Sequence, residues 1–288
     1  MKIAVVSGKG GTGKTTIAAS FAELEKNPIR VDCDVDAPNM YLYYKGNDIN
    51  KQDFIGSELA VVDYDLCNQC GECKLVCRFE AIAEGVVDTW SCEGCGACTL
   101  VCPQEAIKLE KEKSAEAYIT EVDNGLISRA EMEVGSEGSG KLVTQLRKNA
   151  EEFSWDSRIT IVDGSPGIGC SVIASITGNN AVIIVTEPTK SGMDDFIRVK
   201  QLCDHFSIPA LVCINKYDIN KEITWQIEGY CKERDIPIVG KIGYDDTVLK
   251  SINELKPIIY YEQSEANKAI RKMWTTIKNL LQKQGNRV

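Results

Sequence analysis

Eight cysteines between residues 67 and 102 restrict this 288-residue chain more than any other feature. Cys67, Cys70, Cys73 and Cys77 follow the spacing C-x2-C-x2-C-x3-C, and Cys92, Cys95, Cys98 and Cys102 repeat it 25 residues later. The repeat continues past the thiols, since Cys77-Arg-Phe-Glu-Ala-Ile82 parallels Cys102-Pro-Gln-Glu-Ala-Ile107. In a small secreted chain thirteen cysteines would signal disulfides; at this length and without secretory features they point to metal. The glycines from Gly8 to Gly13 interrupt any signal-like apolar core, and no apolar run reaches membrane-spanning length, so a cytoplasmic address is expected. Cys203, Cys213 and Cys231 lie among apolar residues and are expected in the core.

The N-terminus carries a second signature. Lys2 to Val6 is a short apolar run of the kind that forms a buried parallel strand. Gly8-Lys9-Gly10-Gly11-Thr12-Gly13-Lys14-Thr15 follows it directly and opens a helical stretch, satisfying G-x-x-x-x-G-K-[ST]. Glycines let backbone N–H groups converge on phosphate oxygens; Lys14 neutralises charge, Thr15 offers a hydroxyl to Mg2+, and the helix adds its dipole. Contacts to nucleotide are therefore expected from Gly10, Gly11, Thr12, Gly13, Lys14, Thr15 and Thr16. Ile159-Thr-Ile-Val-Asp163, an apolar strand ending in an acid, resembles the Walker B pattern, and that resemblance implies Asp163 near the metal.

With its extra Lys9, K-G-G-T-G-K-T-T resembles the deviant Walker A loop of the MinD/ParA superfamily of P-loop ATPases. The resemblance implies ATP and Mg2+ as ligands and an ATP-dependent homodimer in which Lys9 reaches the nucleotide of the facing subunit. It also implies that Asp34, in Val-Asp32-Cys-Asp34-Val-Asp36, orients the attacking water, with Asp32 in the metal shell. Gly164-Ser-Pro-Gly167 resembles switch II, and Asn215 matches the position that hydrogen-bonds adenine. Gly243 stands where relatives often carry proline. Asp36 and Asp218 also read as turn or cap carboxylates.

The cysteine run resembles bacterial two-cluster ferredoxins, in which the fourth cysteine of each run ligates the other cluster. That implies two [4Fe-4S] clusters, one held by Cys67, Cys70, Cys73 and Cys102, the other by Cys92, Cys95, Cys98 and Cys77. Zinc is the competing reading, because C-x2-C pairs bind it too. Arg78 replaces the proline that usually follows the fourth cysteine, which Pro103 retains.

Strand–helix alternation predicts a doubly wound, mostly parallel α/β sheet, with ligands at the carboxyl ends of its strands. Strands are expected at Ile29–Asp32, Ala181–Thr186, Ala210–Asn215 and Pro237–Gly240, with helices at 141–152, 191–206, 222–234 and 265–284. Residues 117 to 134 read as a hairpin turning at Asp123-Asn124-Gly125. The expected division is a P-loop ATPase domain over 1–58 and 113–288, interrupted by a small α+β two-cluster ferredoxin module at 59–112.

Net charge is -9, which argues against nucleic acid as a partner. Residues 60 to 110 carry nine acidic and three basic side chains, so a basic face on a redox partner would complement them. Ile270, Met273, Trp274, Ile277, Leu280 and Leu281 share one face of the last helix; packing on the sheet is expected and membrane contact is not. Cys170 reads as a buried or switch-associated thiol, and His205 as a helix-end residue. The expected function is ATP-gated electron transfer. The alternatives are a cluster assembly or delivery ATPase like the Mrp class, and a MinD-like positioning ATPase that senses redox state.

Overall fold

Runs such as Lys2–Ser7, Ala181–Thr186 and Ala210–Asn215 are apolar at nearly every position, so they suit strands covered by helices on both faces. The computed structural model, which describes residues 1–153 and 159–285, gathers them into one nine-stranded sheet. The chain runs β1 (Lys2–Ser7), α1 (Lys14–Glu23), β2 (Ile29–Asp32), β3 (Gly46–Val62), α2 (Glu72–Val76), β4 (Ile82–Ala83), β5 (Val86–Val87) and α3 (Ala97–Val101). It continues through β6 (Ile107–Val122), β7 (Gly125–Met132), α4 (Gly140–Glu152), β8 (Thr160–Pro166), α5 (Cys170–Ile176), β9 (Ala181–Thr186) and α6 (Lys190–His205). Last come β10 (Ala210–Asn215), α7 (Lys221–Glu233), β11 (Ile238–Ile242), α8 (Asp246–Asn253) and α9 (Glu265–Gly285).

The strand order is β11-β10-β9-β1-β8-β2-β7-β6-β3. β1 lies between β8 and β9 and pairs in parallel with both, so the loop leaving β1 emerges at the sheet's centre. β2 pairs in parallel with β8, and this register sets Asp32 opposite Asp163. Ligand chemistry in such sheets collects at the carboxyl ends of the strands; Asp32 closes β2, while β8 runs three residues past Asp163 to Pro166, beyond the end the sequence suggested.

One compact unit comprises Met1–Lys51, Ala117–Ala130 and Gly138–Val288; the other comprises Gln52–Glu116 and Glu131–Glu137. The first unit packs Ile3, Val5, Ile17, Phe21 and Ile161 with Ile270, Met273, Trp274 and Ile277 of α9. Phe21 stacks on Trp274 with ring centroids 4.6 Å apart. The apolar face of α9 is therefore a packing face, as its 3.6-residue periodicity predicts. Cys203, Cys213 and Cys231 are buried, and so is Cys33. His205 is the last residue of α6 and meets Phe206 edge to face.

The second unit has little aliphatic core: Ala60, Val62, Ile82 and Ile107, against which Cys67, Cys73, Cys77, Cys92, Cys98 and Cys102 pack. β3 and β6, of 17 and 16 residues, run from one unit into the other. Among the described residues no helix is long and apolar enough to cross a membrane.

Candidate nucleotide and cysteine sites

β1 ends at Ser7, and the chain then turns through Gly8 to Gly13 into α1. Gly11 and Gly13 adopt φ of 76° and 89°, a region that disfavours side chains. At Gly13 a Cβ would also stand 2.6 Å from the Asn215 amide nitrogen. No side chain caps the start of α1, so its first N–H groups remain available to an anion.

Lys14 is almost fully buried, and its Nζ lies 3.8 Å from Asp34 Oδ2. Asp32 and Asp163 are both buried. The Asp32 carboxylate accepts N–H groups from Asp34 at 3.2 Å and Met40 at 3.1 Å. Asp163 differs: neither of its carboxylate oxygens has a hydrogen-bond partner. Burial drives the Asp163 carboxyl above the usual carboxylate range, with Lys14 partly opposing it. Asp32 is raised well above that range, first by burial and then by the charge on Asp163. Burial also raises Asp34, against the pull of Lys14. Lys14 opposes the shift at Asp163 and Asp34 but not at Asp32, so this cluster of acids lacks positive charge.

The ends of β2 and β8 are tied together. Cys33 N–H donates to the Asp163 carbonyl at 2.8 Å, and the Ser165 hydroxyl donates to the Cys33 carbonyl. Gly167 N–H donates to the Ser7 carbonyl at 3.0 Å, joining the Gly164–Gly167 segment to the start of the phosphate loop. A displacement at either strand end is thereby felt at the other.

Two cavities meet at the loop. One, of about 620 Å³, is lined by Gly13, Lys14, Thr15, Asp34 and Ser165 among others. The other, of about 230 Å³, shares Gly11, Gly13 and Thr16 with it and is otherwise walled by Asn215, Tyr244, Val248 and Leu249. A charged compartment beside an apolar one matches the two ends of a nucleotide. Asn215 Nδ2 donates to the Thr12 carbonyl at 2.9 Å, and its Oδ1 accepts the Lys216 N–H at 3.0 Å. One lone pair of that oxygen stays free for a base amino group.

Gly243 also lines the apolar cavity. Asp218 holds the Tyr244 N–H at 2.8 Å, and Asp36 accepts the Gly138 N–H at 2.7 Å, so both serve as loop carboxylates. Sequence reasoning missed Glu187, which lies just beyond β9 and pairs with both Lys9 and Lys216. Its signal, an acid following an apolar strand, was present in the sequence but not local to the motif. Cys170 is exposed rather than buried, because it heads α5 directly after the glycine-bounded turn Gly167–Gly169.

In the second unit, Gly71 and Gly96 precede α2 and α3 with φ of 82° and 77°, giving each cysteine loop the same sharp entry. Ala81 N–H donates to Cys77 Sγ at 3.4 Å, and Ala106 N–H to Cys102 Sγ at 3.3 Å, repeating the sequence symmetry in space. The cysteines line two separate cavities. One is bordered by Cys67, Cys70, Cys73 and Cys102, the other by Cys77, Cys92, Cys95 and Cys98. All thirteen cysteines are free of disulfides. Among the described residues, no three or more His, Cys, Asp or Glu side chains gather closely enough to grip a single metal ion.

Comparison with known proteins places the first unit's architecture. The family model for the CobQ/CobB/MinD/ParA nucleotide binding domain matches residues 3–258. An uncharacterized protein of Methanocaldococcus jannaschii is 34% identical over 284 residues, covering 98% of both chains. The septum site-determining protein MinD of Buchnera aphidicola is 25% identical, over 97% of this chain and 90% of the relative. Among solved structures, MinD of Pyrococcus horikoshii complexed with Mg-ADP superposes with a TM-score of 0.61 at 17% identity, over 97% of this chain and 96% of that one. The phosphate loop, the parallel sheet and a family match over most of the sequence agree: the chain belongs to the MinD/ParA family of P-loop ATPases.

Proposed function

We propose that this protein binds and hydrolyses ATP and uses the nucleotide state to gate electron transfer through two [4Fe-4S] clusters. One observation carries the reading: beside a P-loop ATPase unit, eight cysteines divide between two cavities, four to each. In each set the fourth cysteine comes from the other run. Zinc would need four ligands converging on one ion. A zinc ribbon does not need a third cysteine at x2 and a fourth at x3, twice over, whereas in a cubane each thiol would take a different iron. The residues present therefore fit such clusters, with Cys67, Cys70, Cys73 and Cys102 holding one and Cys77, Cys92, Cys95 and Cys98 the other. When bound, the clusters supply one-electron storage.

Mg2+ has the same kind of support. The Asp163 carboxylate is buried without a partner, and the Thr15 hydroxyl lines the same phosphate compartment. Thr15 and Asp163 would hold the ion, and Asp32 would serve its outer shell. The N–H groups at the start of α1 and Lys14 bind and neutralise the phosphates. Asp34 orients water for attack on the γ-phosphorus; the bond to the β-phosphate oxygen breaks, leaving ADP and inorganic phosphate. Lys9 delivers positive charge from a facing subunit in an ATP-dependent homodimer.

The chain path supports gating. Asp32 fixes the Met40 N–H, and the backbone continues from Met40–Tyr43 into β3, which leads into the cysteine unit. A coupling of about 1–3 kcal/mol would suffice for useful control. Anaerobically purified protein should contain iron and sulfide in a cubane ratio, and reoxidation by an acceptor should differ between its ADP and ATP states. Zinc in place of iron would remove the cluster assignment; identical reoxidation rates would remove gating. The exposure of Cys70 and Cys95 favours a second reading, cluster delivery, which transfer of iron to an apo-acceptor would establish instead.

A further inference from the structure

Lys9 does not point freely into solvent. Its Nζ lies 3.4 Å from Glu187 Oε2 and 3.4 Å from the Thr189 hydroxyl. The sheet brings them near each other: β1 pairs in parallel with β9 up to Val6 opposite Ile184, and Lys9 and Glu187 leave the ends of these two neighbouring strands. Glu187 is firmly built. Gly192 approaches its carbonyl so closely that a Cβ there would stand at 2.4 Å, and Thr189 caps α6 immediately after it. The Glu187 side chain is 11% exposed, while those of Lys9 and Lys216 are 33% and 36% exposed. The carboxylate is thus the fixed member of the pair and Lys9 the movable one.

The other oxygen, Oε1, takes Lys216 Nζ at 2.6 Å. One negative charge is therefore shared between two cations, and Lys9 holds the longer contact. Such a half-exposed pair is weak and readily exchanged. Lys216 follows Asn215 and lines the apolar cavity, so the carboxylate connects the base compartment to Lys9.

We propose that Glu187 is a positioning residue that holds Lys9 within its own subunit and yields it to a phosphate when two copies close around ATP. The inference rests on the ATP-dependent dimer described above. Glu187 then acts as a latch: it weakens closure and leaves intact the phosphate contact that Lys9 makes once released. Removing its charge should tighten ATP-dependent self-association. Each of two subunits loses one half-exposed ion pair, so the expected gain is roughly two- to thirty-fold in dimer affinity.

The test is a double-mutant cycle on the full chain, using Glu187→Gln, Lys9→Ala and both together, read by sedimentation velocity with a slowly hydrolysed ATP analogue and Mg2+. Glu187→Gln should tighten association when Lys9 is present and change nothing in the Lys9→Ala background. Equal effects in both backgrounds, or weaker association of Glu187→Gln, would overturn the latch while leaving the dimer intact. Absence of nucleotide-dependent association in the unmodified protein would instead bring down the dimer itself, and the latch with it. Should Glu187→Gln not fold, Glu187→Asp, which keeps the charge but shortens its reach, takes its place with a smaller expected tightening.

Discussion

In the nucleotide unit, Ile3, Val5, Phe21, Ile161 and Ile183 are fully buried in one apolar core that joins the sheet to α1 and α9. In the cysteine unit the aliphatic cluster is Ala60, Val62, Ile82 and Ile107, and six cysteines supply most of what packs on it. A core of that size contributes little: at roughly 0.8 kcal/mol per buried methylene, four small side chains cannot offset the ordering of two glycine-entered loops. The first unit is held chiefly by apolar burial, which needs no ligand. On the proposed reading, the second would draw its folding free energy from ligation.

The sharpest way to break this contrast is to remove the two crossing cysteines. If the proposed clusters are bound, the Cys77→Ser/Cys102→Ser protein should lose iron from both sites, because each cavity would lose the one ligand that the other run supplies. Amide exchange should then become unprotected across Gln52–Glu116, with protection of β1, β8 and β9 unchanged. Retained protection in the cysteine unit would mean that the small aliphatic cluster suffices and that ligation is secondary.

The converse substitution addresses the other side. Phe21 is fully buried and stacked on Trp274, so Phe21→Ala should cost the nucleotide unit about 3–5 kcal/mol. Iron content should not change. Denaturant unfolding followed separately by Trp274 fluorescence and by cluster absorbance would check it; a parallel loss of both signals at the same midpoint would show that the units unfold together.

The same contrast explains what could be read from the sequence. Apolar runs such as Ala181–Thr186 and Ala210–Asn215 matched the strands found, because a strand buried on both faces must be apolar throughout. The phosphate loop, the apolar run leading to Asp163 and the doubled cysteine spacing are local signals, each complete within a few residues, though β8 continues past Asp163 to Pro166. β3 was not legible: most of its 17 residues are exposed, the apolar Ile49, Ile55 and Val61 included, so no alternation of apolar and polar residues marks it. α8 spans eight residues and α5 seven, too few for a clear helical period. Glu187 was missed for a different reason. Its partner Lys9 is 178 positions away, and only the placement of β9 beside β1 brings them together.

The smallest effect concerns the place where the nucleotide unit itself depends on a ligand. Asp163 is buried with both oxygens unpartnered, and its carboxyl is raised by burial. A carboxyl whose folded pKa lies above its unfolded value favours the native state at low pH; that contribution is full below the unfolded value and disappears as pH rises through the folded one. Without Mg2+ and nucleotide, the unit should therefore weaken as pH rises out of the ordinary carboxylate range toward neutrality. Asp163→Asn removes one of two buried charges and should reduce this dependence, leaving the part due to burial of Asp32, and should stabilise the ligand-free unit at neutral pH by about 1–3 kcal/mol. Mg-ATP should reverse the ranking, since at a hundredfold excess over Kd it stabilises the unmodified protein by about 2.7 kcal/mol, while the variant gains little. Thermal unfolding at pH 5 and pH 8, with and without Mg-ATP, separates these cases. If Asp163→Asn lowered stability in the ligand-free state, the carboxylate would be a structural acceptor, and the dependence of this unit on bound cation would fall.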